Sequence, residues 1–70
     1  MVKSKDLLRA LKRAGFYVHH VSGSHYVLKH ADRVALRVTV PWHSRDLKRG
    51  TLNAILDQAE MTPEELSELL

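Results

Sequence analysis

The sequence predicts an α+β domain, a meander of three antiparallel strands with helices packed on one face. Two helical stripes frame the chain, Leu7, Leu8, Leu11 and Ala14 near its start and Leu52, Ile55, Leu56 and Ala59 toward its end. Between them lie three runs rich in β-branched and aromatic residues, at 16–21, 25–29 and 34–40, separated by turn-forming clusters.

Each element has its own signals. Helix one is expected over 5–14, with Ser4 as N-cap and Gly15 as the stop after Lys12 and Arg13. Ser22-Gly23-Ser24 turns the first strand into the second, and His30-Ala31-Asp32-Arg33 turns the second into the third. In the third strand Val34, Leu36, Val38 and Val40 alternate with smaller or polar residues, and Pro41 ends it because proline cannot donate to the ladder. Helix two is expected over 52–60, opening at Thr51 or Gly50. Thr62-Pro63-Glu64-Glu65 reads as a capping box with proline at the first helical position, opening a short helix whose Leu66, Leu69 and Leu70 complete the core or dimerise, the core being favoured because so short a chain has few apolar residues to spare. The order α-β-β-β-α, with this short helix appended, is that of double-stranded-RNA-binding domains.

Alternation assigns faces. Tyr26 and Leu28 point one way, and His25, Val27 and Lys29 point the other, joined by Arg37 and Thr39 on an open, wet face. By the same period His19 and His20 point to opposite faces.

Seventy residues allow one core, so residues 1–70 are read as a single domain. The chain has no cysteine, hence no disulfide and no thiolate metal site, which suits a reducing cytoplasm. No apolar run approaches the roughly 20 residues that span a bilayer, and Met1-Val2-Lys3-Ser4-Lys5 lacks the apolar stretch of a signal peptide. A soluble cytoplasmic protein with no membrane partner is expected. Charge is polarised: residues 1–49 hold all 11 Lys and Arg against Asp6, Asp32 and Asp46, while residues 50–70 hold five acids and no base. A basic body attracts polyanions, of which nucleic acid is the commonest in a cytoplasm, or it simply keeps the protein dissolved.

Five histidines in 70 residues are the compositional outlier. His19, His20 and His30 read as strand or turn residues, whereas His25 follows Gly23-Ser24 at the start of a strand on the open face, where a proton-transfer group reaches a bound backbone. No metal site is expected, since no H-x-x-x-H occurs and no acid stands near His19 and His20. Lys48-Arg49-Gly50-Thr51 brings two cations to the start of helix two, where free N–H groups and the helix dipole favour phosphate; the alternative is an ordinary helix start with solvated cations. Trp42 beside it stacks on a base or plugs the sheet edge. Lys5, Arg9, Lys12 and Arg13 on helix one touch phosphate or face water.

Taken together, these residues resemble the HicA family, mRNA interferases of prokaryotic HicA–HicB toxin–antitoxin pairs. The resemblance spans nearly the whole chain. It is carried by the run Leu7 to Phe16, by Gly23-Ser24-His25, by Val40-Pro41-Trp42-His43, and by Lys48-Arg49-Gly50-Thr51-Leu52 with Ile55-Leu56. It implies ribosome-independent cleavage of RNA with His25 as the catalytic residue and His43 as a helper, and a HicB antitoxin as partner. Asn53 stands where relatives often carry Arg or Lys.

The chemistry consistent with both readings is attack of an RNA 2′-OH on the adjacent phosphate, with His25 moving the proton and no metal or cofactor required. Lys48, Arg49, Gly50 and Thr51 would hold phosphates, and Lys29 or Arg37 would meet charge developing on phosphorus. Single-stranded mRNA is the expected substrate, because in-line attack needs a backbone freed from the A-form helix. Two rivals remain at this stage. One is a catalytically silent RNA-binding module of the same fold; the other is a structural partner that docks through the acidic, leucine-bearing end.

Overall fold

A computed structural model describes residues 2–70. The elements run α1 (Ser4–Arg13), β1 (Phe16–Ser22), β2 (His25–His30), β3 (Arg37–Pro41), α2 (Arg49–Ala59) and α3 (Pro63–Leu69). This is the α-β-β-β-α order foreseen, with the third helix appended. The sheet is antiparallel with β2 in the middle.

The core forms between the helices and one face of the sheet. Leu7, Leu11, Leu28, Val38 and Val40 are fully buried, and Ile55, Leu56, Ala59 and Leu66 close it from α2 and α3. Both helical stripes thus lie where periodicity put them. α3 opens on the foreseen capping box: Thr62 N–H donates to Glu65 Oε1 at 3.0 Å and Glu65 N–H to Thr62 Oγ1 at 3.1 Å. Of its leucines, Leu66 enters the core and Leu69 packs against it, whereas Leu70 stays exposed.

Four local expectations are corrected. Ser4 is not the N-cap of α1; Lys3 holds that position without a side-chain cap, and Ser4 lies one step inside, wholly buried. β3 begins at Arg37, because Val34 and Ala35 form a turn and Val34 is 84% exposed, leaving only Leu36, Val38 and Val40 of the alternating set inside. α2 begins at Arg49 behind an extended Lys48, so Gly50 and Thr51 belong to its first turn. The β1–β2 ladder slips between Val18 and His20, a bulge that strict alternation missed.

His30 fixes the end of the hairpin nearest α1. Its Nδ1 accepts the N–H groups of Asp32 and Arg33 at 3.1 and 3.0 Å, so Nε2 carries the proton that it donates to the Ala14 carbonyl at 2.9 Å. Gly15 makes room for this ring. Its φ is +103°, and a Cβ there would stand 2.6 Å from His30 Nε2.

Candidate active site

The opposite end of the hairpin presents His25. Ser22 pairs with His25 across the two-residue turn, and only the first turn residue, Gly23, takes a positive φ of +59°, the pattern of a type II′ hairpin. Nothing lies within 4 Å of a Cβ built on Gly23, so glycine is needed there for conformation and not for space. His25 is exposed, on the sheet face turned away from the helices, with Ser22 on one side and Pro41 on the other.

Register defines the rest of that face. Thr39, Val27 and His20 form one row across the sheet, and Arg37, Lys29 and Tyr17 form the next. Val27 is buried although it faces away from the core, flanked in register by His20 and Thr39. Lys29 and Arg37 are direct cross-strand neighbours. They stand four residues along the strand from His25, about 13 Å at strand rise, so they share its face and not its immediate surroundings.

His43 belongs to a second group. With Arg45, Lys48 and Thr51 it lines a cleft of about 520 Å³ between the 42–48 loop and the start of α2. The first turn of α2 has no side-chain cap and no acid, and nothing lies within 4 Å of a Cβ built on Gly50, so its backbone is open to an anion. Lys48, Arg49 and Gly50 are exposed and Thr51 is half-buried.

The two groups are joined through backbone. Trp42 N–H donates to the Ser24 carbonyl at 2.7 Å, tying the turn before His25 to the loop that carries His43. Ser4 anchors the same loop: its hydroxyl donates to the Pro41 carbonyl at 2.7 Å and accepts the His43 N–H at 3.0 Å. Leu47 N–H donates to the Val2 carbonyl at 2.7 Å, and the Lys3 and Asp46 backbones pair in an isolated antiparallel β-bridge. The loop is therefore held on the N-terminal segment at several points.

Sequence reading missed three features. Ser4 passed for a helix cap, although it tethers the His43 loop. Strict alternation sends His19 and His20 to opposite faces, but their Nδ1 atoms meet at 2.8 Å. The Lys29 ammonium, with desolvation, His20 and Arg37 adding to it, holds the His19 imidazole below its ordinary 6.5. The third is a groove lined by Lys5, Arg9 and Lys12 of α1, whose wall is Tyr26 and Trp42 with ring centroids 5.2 Å apart. Among the described residues, no three His, Asp or Glu side chains converge as a metal ion would require.

These features define a small basic α+β protein with an open, histidine-bearing sheet face beside an uncapped helix N-terminus. A family model described as HicA toxin of bacterial toxin-antitoxin matches residues 4–61, and the chain belongs to that family. It is a toxin of a toxin–antitoxin system, and the family implies a cognate antitoxin. No curated protein matches the chain. No described helix is long and apolar enough to cross a membrane.

Proposed function

We propose that the protein is an endoribonuclease that cleaves single-stranded mRNA in the cytoplasm, with His25 moving a proton during attack of a 2′-OH on the adjacent phosphate. The observation that carries this reading is the position of His25 within a chain of the HicA family. It stands exposed behind the Gly23-Ser24 turn, on an open face with no helix over it. Such a group is accessible to a backbone laid across the sheet, and positioned proton transfer contributes roughly 10²–10⁴-fold.

Lys48 and Arg49, with the free amides at the start of α2, hold one phosphate, and His43 assists from the same cleft. Lys29 and Arg37 grip the backbone some nucleotides away from the cut, since their distance along the strand removes them from the scissile phosphate. A HicB antitoxin with an acidic surface silences the toxin by covering the face around His25, matching the basic body of residues 1–49.

The test incubates the protein and His25→Ala with a long unstructured RNA, with and without a chelator, and resolves fragments and their ends. Chelator-resistant cleavage that disappears in the variant supports the reading. Intact RNA in every lane, with RNA still bound by folded protein, overturns it in favour of a silent RNA-binding module.

A further inference from the structure

β1 spends seven residues where β2 spends six, and the ladder absorbs the excess between Val18 and His20. The bulge brings the His19 and His20 rings together, with centroids 5.1 Å apart and Nδ1 atoms 2.8 Å apart. Both residues are exposed. A hydrogen bond between two imidazole nitrogens needs one N–H and one lone pair, so one ring donates and the other accepts. Lys29 disfavours charge on His19, so His19 meets His20 as a neutral ring, with one donor and one acceptor nitrogen. In the tautomer in which His20 donates its Nδ1–H to His19, the His20 Nε2 carries the free lone pair.

The two rings have different neighbours on the sheet. His19 feels Lys29 and Arg37, the end remote from His25. His20 lies in register with Val27, one diagonal step from His25. Diagonal neighbours on a sheet stand about 7–8 Å apart. That separation lets two imidazoles flank one phosphate, each about 2.6–3.2 Å from its oxygen.

We propose that His20 is a second catalytic residue, the general base to the general acid of His25, and that His19 is a positioning residue that fixes the His20 tautomer. The proposal rests on the ribonuclease reading and assigns its proton traffic. His20 Nε2 takes the 2′-OH proton as the O2′–P bond forms. The P–O5′ bond breaks, and the departing O5′ takes a proton from protonated His25. The products are a 2′,3′-cyclic phosphate and a 5′-hydroxyl end, and solvent restores both histidines.

The test uses a short RNA spanning a cleavage site mapped with the wild-type protein, made with either oxygen or sulfur at the 5′-bridging position. A sulfur leaving group needs no acid. His25→Ala should lose at least about 100-fold on the oxygen substrate and recover to within about tenfold of wild type on the sulfur one. His20→Gln should lose about 100-fold on both. His19→Leu should lower kcat by about tenfold with KM unchanged, while His19→Gln, whose carbonyl still accepts from His20, restores it. The wild-type pH profile should be bell-shaped and lose its acidic limb in His20→Gln, with Tyr17, Lys29 and Arg37 the other titratable groups on that face. Full activity of His20→Gln beside an inactive His25→Ala overturns this proposal and leaves the ribonuclease intact. Sulfur rescue of His20→Gln in place of His25→Ala overturns the assignment of roles. Absence of cleavage by the wild-type protein overturns the proposal and the ribonuclease reading together.

Discussion

Replacing Ser4 separates two accounts of the same residue. As a helix cap, Ser4 would be exchangeable for Asp, which serves equally well at that position. The structure instead buries its hydroxyl between the Pro41 carbonyl, to which it donates, and the His43 N–H, which it accepts. Ser4→Ala removes both bonds and leaves both backbone groups without their partner beside a wholly buried side chain, a cost of about 1–3 kcal/mol. For a chain of this size unfolding entropy is about 0.15 kcal/mol per degree, so a loss of ~2 kcal/mol lowers Tm by roughly 13 °C. Ser4→Asp should be worse than Ala, because a carboxylate cannot donate to the Pro41 carbonyl and would lose its hydration. Thermal melts of the three proteins followed by circular dichroism give the ranking, and hydrogen exchange at the His43 amide gives the local effect, with protection lost in Ser4→Ala. A Ser4→Asp protein as stable as wild type, above Ser4→Ala, would restore the capping account and refute the tether.

Four further outcomes follow from the geometry. Gly15→Ala should cost at least about 2 kcal/mol, read as a lower urea midpoint, since its Cβ would meet the His30 ring at 2.6 Å on a backbone with φ +103°; an unchanged midpoint would contradict the clamp. Glu60→Gly should raise Tm by roughly 3–7 °C, because Glu60 ends α2 in the left-handed region at φ 54° and its ion pair with Arg33 joins two exposed side chains; a lower Tm would show that the pair outweighs the strain. Hydrogen bonds from the Thr62 backbone and side chain hold the Glu65 carboxyl below its ordinary 4.5. Its contribution to stability is therefore complete above that value and lost as pH falls through the depressed one, so the margin of wild type over Glu65→Gln should shrink on acidification, in melts taken from pH 6 downward. Lys29→Met should move the His19 NMR titration midpoint up toward 6.5, because the ammonium is the first cause of its depression; no movement would place that cause elsewhere.

Legibility followed the range of the physics. Apolar stripes and the Thr62 capping box depend on residues three or four apart, and Leu7, Leu11, Ile55, Leu56 and Glu65 all do what their spacing predicted. His25 was placed on an open strand end by a turn and a period, both local, and the structure puts it there. The reading of Ser4 failed because its partners are 37 and 39 residues away, and a serine before a helical stripe carries the same local signal whether it caps the helix or tethers a loop. Val34 continued an alternation that the turn at 34–35 had already broken, and β-propensity does not register where a ladder stops.

The histidine pair was hidden for a different reason. Strict alternation sends neighbouring side chains to opposite faces, and no glycine or proline near His19 announces an exception. What forces the exception is a mismatch between two ends that are each fixed independently. At one end Ser22 must meet His25 across a two-residue turn that Gly23 sets. At the other Phe16 must meet His30, whose ring is clamped to the Ala14 carbonyl over Gly15. Seven residues then face six, and the surplus has to leave the ladder somewhere between. Val18 stays opposite Leu28 and Val21 opposite Tyr26, with Val18, Leu28 and Tyr26 packed into or against the core and Val21 exposed, so the slip falls on the polar dipeptide that loses least by leaving register. The core thus decides where the bulge goes, and the bulge brings together the two imidazoles that a regular hairpin would have parted.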